Sequence, residues 1–97
     1  MTRTEFINKT KHYNSKVGNW DIVLDNFYTT EYILGCYYDK EVKTWKVYEN
    51  GERGIGNIRL VTTSEEKAFD KLYSMIEFAH EDYLYYKEWE AKKNRNY

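Results

Sequence analysis

Glu77 and His80 are the two side chains whose spacing best matches metal chemistry. They stand three residues apart in a stretch of helical period, so they occupy neighbouring positions on one helix surface. A helical site of that kind draws its remaining ligands from other helices, and no second Glu-x-x-His occurs in the chain. The competing reading, a half-exposed histidine on a helix flank, is preferred, and no metal is expected. His12, the other histidine, lies in a polar stretch. Cys36 shares a period-two side with Leu34, so burial should desolvate its thiolate and leave it inert. No histidine is placed to act as its base. Gly51-Glu52-Arg53-Gly54-Ile55-Gly56 has the glycine content of a phosphate loop but lacks the Gly-Lys-Ser/Thr ending. A strand pattern follows it, not a helix whose N-terminus would hold an anion. It reads as a turn in which glycines supply positive φ. No catalytic residue and no cofactor is expected, which points to a binding protein and not an enzyme.

The chain behind these residues has 97 positions, suited to one domain spanning 1–97. Aromatic residues make up 19% of it, with 11 Tyr, 4 Phe and 3 Trp. Tyr and Trp join a large apolar body to a polar tip and so serve cores and contact surfaces alike. Proline is absent and the 5 glycines are scattered, which leaves no linker-like stretch. A single cysteine excludes an internal disulfide. No apolar run resembles a signal peptide or a membrane span, so the expected compartment is the cytoplasm, without membrane contact.

The net charge of −1 hides an uneven distribution. Residues 17–39 contain Asp21, Asp25, Glu31 and Asp39 with no Lys or Arg, and residues 65–90 hold eight acids against Lys67, Lys71 and Lys87. Nucleic acid requires a continuous positive stripe and is not expected as a partner. A protein with a basic surface suits such zones, because complementary charge steers encounter and selects partners.

The hydrophobic pattern predicts an α+β fold. Thr2 and Glu5 have the spacing of a capping box, which predicts a short N-terminal helix ahead of a polar connection. Alternation of period two then predicts four strands. Trp20, Ile22 and Leu24 share one side, followed by Leu34 and Cys36, Trp45 and Val47, and Ile58 and Leu60. Short breaks, among them Asn50-Gly51 as a hairpin turn, predict an antiparallel sheet. From Thr63-Ser64 onward a long helix is expected, capped by these hydroxyls and opened by Glu65 and Glu66. Its Ala68, Leu72, Met75, Ile76, Ala79 and Tyr83 should cover the sheet side bearing Trp20, Leu34, Trp45 and Leu60.

Two further surfaces carry apolar residues. Phe78, Tyr85 and Trp89 form a second stripe on the long helix, among Glu81, Asp82 and Glu88. Either Phe6 and Ile7 fold back onto it, or the helix dimerises, or a partner takes it. The outer sheet side holds Val23, Ile33, Tyr37, Tyr48 and Val61, more apolar than a solvated face. Either the N-terminal helix covers it or a partner does.

Trp45-Lys46-Val47-Tyr48, then Glu52-Arg53-Gly54, then a strand and Ser64-Glu65-Glu66-Lys67-Ala68 opening a helix form an ordered pattern. Over roughly residues 43–76 the chain resembles small immunity proteins of bacterial polymorphic toxin systems. The resemblance implies that it binds a cognate toxin and occludes its active site, with Glu52 and Arg53 at the family's turn and Gly54 left-handed there. The expected partner-binding residues are Phe78, Asp82, Tyr85, Glu88, Trp89, Tyr37, Tyr48, Glu52 and Arg53, in a monomer or homodimer. The alternative is a phage or mobile-element inhibitor of a host defence nuclease, which gene neighbourhood separates from the first. A third class, a nucleic-acid module, would use Tyr37, Tyr48, Lys46 and Arg59 for stacking and phosphate contact.

Overall fold

The computed structural model describes residues 1–95, and it is α+β. Helix α1 (Arg3–Thr10) is followed by a 3-10 turn and strands β1 (Lys16–Val17), β2 (Trp20–Leu24), β3 (Ile33–Asp39), β4 (Thr44–Asn50) and β5 (Gly56–Thr62). Helix α2 (Glu65–Arg95) is the last element among the described residues. The strands form one sheet in the order β1-β2-β3-β4-β5.

Helix starts follow the expected chemistry. Thr2 Oγ1 accepts from the Glu5 amide and Glu5 Oε1 accepts from the Thr2 amide, each at 3.2 Å, which completes the capping box. At α2, Ser64 Oγ accepts from the Lys67 amide, while Thr62 Oγ1 accepts from the Ser64 amide. The expected core assembles as well. Ala68, Leu72 and Ile76 are fully buried against Leu34, Cys36 and Val47, with Trp20, Trp45, Leu60, Met75 and Ala79 packed around them. Phe69 joins them, and the ring of Phe6 sits 5.0 Å from it. Helix α1 therefore lies beside α2 on the core side, and covers no part of the outer side.

The sheet departs from expectation in three places. It has five strands, because Lys16–Val17 adds a short edge to β2. Strands β2 and β3 are parallel, whereas an antiparallel pair was expected at Asp25-Asn26. The chain does not turn there. It runs through residues 25–32 across the outer side and re-enters alongside β2. Asp25 (φ 66°) and Tyr32 (φ 57°) bend the two ends of this crossover. The third departure is a bulge in β5. Val47 pairs with Leu60 but Tyr48 pairs with Ile58, so Arg59 is the extra residue. Ile58 thereby moves to the outer side, away from Leu60, and a strictly alternating reading places it wrongly.

The crossover covers the part of the outer side around Tyr48. Tyr48 is 1% exposed, and its hydroxyl donates to the Asn26 carbonyl (2.9 Å) and accepts from the Tyr28 amide (3.1 Å). Asn50 Nδ2 donates to the carbonyls of Tyr28 (2.6 Å) and Thr30 (2.9 Å). Two β4 side chains thus satisfy the backbone of a loop that has no ladder of its own. Gly35 makes room for this arrangement, since a Cβ there would lie 2.4 Å from the Tyr48 ring. The hairpin after β4 turns at Arg53 (φ 63°) and Gly54 (φ 71°), not at Asn50-Gly51 as expected. Gly54 is left-handed, and a Cβ on it would meet the Thr29 carbonyl oxygen at 2.5 Å.

Candidate partner-binding surface

Helix α2 outruns the sheet it covers. Its 31 residues span about 46 Å at roughly 1.5 Å each, whereas the seven residues of β3 or β4 span about 23 Å. The molecule measures 56 Å along its longest axis. Packing against the body continues to Ala79, His80 and Tyr83. His80 meets the Tyr13 ring edge-on at 5.3 Å, and Tyr83 lies against Gly18. Tyr86 still borders a groove with Gly18, Asn19, Trp20 and Tyr32, and past it the helix stands clear.

The free half of the helix is where the apolar exposure concentrates. Phe78 and Tyr85 are each 72% exposed, with Leu84, Tyr86 and Trp89 exposed by half or more. At roughly 100° per residue Phe78, Asp82, Tyr85 and Trp89 share a ridge that points well away from Leu72 and Ile76. Neither Phe6 nor Ile7 reaches it, as Phe6 is in the core and Ile7 is open to solvent. Beside the ridge, Phe78 and Asp82 border a groove of about 460 Å³ between α2 and the sheet. Trp20, Leu34 and Met75 line that groove, and the Arg59–Glu49 ion pair lies at its sheet side.

The expected contact residues fall into two separate groups. Phe78, Asp82, Tyr85, Glu88 and Trp89 come together on α2, joined by Leu84 and Tyr86, which period analysis overlooked. Tyr37, Glu52 and Arg53 lie on the outer side and its turn, remote from α2 across the sheet. Tyr48 belongs to neither surface, being sealed under the crossover, and burial raises its phenol above the ordinary value. Phe27 packs on both Tyr37 (5.2 Å) and Tyr48 (5.0 Å) and leaves half its own surface exposed. Its neighbour Tyr28 is equally open. The only sequence signal for this pair was two aromatics in tandem after a break. At the turn, Glu31 Oε2 accepts from the Arg53 amide at 3.1 Å, which ties it to the crossover.

Burial pushes the Cys36 thiol up to about 12, so no thiolate forms at neutral pH. Among the described residues no three His, Cys, Asp or Glu side chains are grouped as a metal site would require. The set Tyr37, Tyr48, Lys46 and Arg59 does not form one platform. Lys46 is held by Asp39 at 2.8 Å, Tyr48 is buried, and Arg59 turns to Glu49 on the opposite side of the sheet. No helix among the described residues is long and apolar enough to cross a membrane. Comparison with known proteins returns no matching family model, no matching curated protein and no matching solved structure.

Proposed function

We propose that this chain is an immunity protein that binds a cognate bacterial toxin in the cytoplasm and neutralises it by covering its active site. The observation that carries the reading is the free half of α2, where large aromatic side chains stand in solvent beside Asp82 and Glu88. Buried aromatic anchors supply most of the affinity in protein interfaces, and a charged rim supplies encounter and selectivity. The carboxylates suit a basic toxin surface. The toxin class itself comes from the resemblance of residues 43–76 to immunity proteins. Tyr37, Glu52 and Arg53 form a second, smaller contact on the opposite side of the sheet.

Co-expression with the product of the adjacent upstream gene tests the proposal. The expected result is a stable complex in which the toxin's activity is suppressed. Tyr85→Ala and Trp89→Ala should each weaken that complex by about thirtyfold or more while circular dichroism stays unchanged. An upstream product without toxin activity, or one that forms no complex, would overturn it.

A further inference from the structure

The free half of α2 is complementary to itself, and we infer that two copies of the chain pair there, antiparallel, when no toxin is bound. Asp82, Tyr85, Trp89 and Lys92 follow one another at intervals of three, four and three. That rhythm keeps side chains on the seam of a helix pair. Laid antiparallel about a twofold axis, the seam sets Asp82 against Lys92 of the second copy and Tyr85 against Trp89 of the second copy. The axis repeats both contacts, since an isologous interface uses one patch twice.

Charge order selects this direction. On the seam the acid Asp82 comes first and the base Lys92 last, with Lys87, Glu88 and Glu90 between them off the seam. A parallel pair would place like against like, whereas an antiparallel pair places opposite charges together. Within one copy Lys92 and Lys93 are held only loosely. Lys92 lies 3.4 Å from Glu88 with both side chains about 70% exposed, and such pairs are weak. Lys93 rests over the Trp89 ring at 5.3 Å, where it also flanks the seam. Tyr85 and Trp89, 72% and 51% exposed, become the middle of the interface. Because toxin and second copy take the same side chains, binding one releases the other.

Sedimentation velocity of the purified full chain at roughly 10–100 µM tests the pairing, with circular dichroism as a check of fold. The native protein should sediment as a dimer. D82K or K92D alone turns two attractive contacts into repulsive ones and should raise the dissociation constant by about tenfold or more. The combined D82K/K92D exchange recreates both contacts with reversed sign and should restore the dimer. A monomeric native protein, single variants that dimerise as well as the native chain, or an exchange that fails to restore pairing would each overturn the inference. Toxin is absent from these measurements, so their failure leaves the immunity reading standing, and a failed co-expression leaves the dimer standing.

Discussion

The two halves of α2 have similar residues and opposite surroundings. Phe69 and Leu72 in the first half are fully buried, whereas Leu84 and Trp89 in the second are each 51% exposed. Nothing intrinsic to these residue types separates them, and both halves are equally good helix. What separates them is the reach of the sheet, which ends about halfway along the helix. A hydrophobic residue's role here is set by whether a strand lies beneath it. The first half holds the fold together, and the second is available to other molecules.

Identical substitutions in the two halves break this comparison most sharply. Leu72→Ala should cost about 2–5 kcal/mol in urea unfolding, because the core around it cannot fully collapse. Leu84→Ala should stay within about 0.5 kcal/mol. Equal losses would show that the second half is packed after all.

Tyrosines give a smaller contrast of the same kind. Tyr48→Phe removes the hydroxyl that bridges the Asn26 carbonyl and the Tyr28 amide, and leaves both backbone groups without that partner. A loss of about 1–3 kcal/mol is expected from thermal unfolding. Tyr85→Phe should be neutral to stability, since its side chain stands in solvent.

The smallest effect is electrostatic and belongs to the packed half. The Arg3 guanidinium lies 5.1 Å from the Phe69 ring and makes two hydrogen bonds to Asp25, at 2.7 and 2.8 Å. Those bonds hold the Asp25 carboxyl below its ordinary value. A carboxyl depressed by folding contributes stability that is present above its unfolded pKa of about 4 and is lost as pH falls through its lower folded value. Asp25→Asn should therefore lower stability at neutral pH slightly and flatten its decline below about pH 4. Both side chains are partly exposed, so the change is small. An unaltered acid limb would remove this pair from the account.

Much of the architecture was legible because it rests on local chemistry. Thr2 with Glu5 and Ser64 ahead of two glutamates mark helix starts through caps that need no tertiary context. The side of α2 bearing Leu72 and Ile76 followed from its period. The ridge of Phe78, Tyr85 and Trp89 was legible as a second stripe, though only the sheet's length shows that it stays open. The parallel crossover was not legible. Residues 25–32 carry no period, and their order comes from Tyr48 and Asn50 of a later strand. The same long-range bonding buries Tyr48, which by alternation belonged to the outer side, where the N-terminal helix or a partner was the expected cover. The bulge at Arg59 was hidden for a similar reason, since one extra residue reverses the side of Ile58 without a mark in composition.

Amide hydrogen exchange along α2, measured for dilute free protein and for the toxin complex, tests most directly whether the second half is a contact surface. Residues 66–79 should exchange slowly in both states, and residues 84–93 should exchange quickly alone and slow markedly in the complex. Unchanged exchange across residues 84–93 on formation of a stable complex would contradict it.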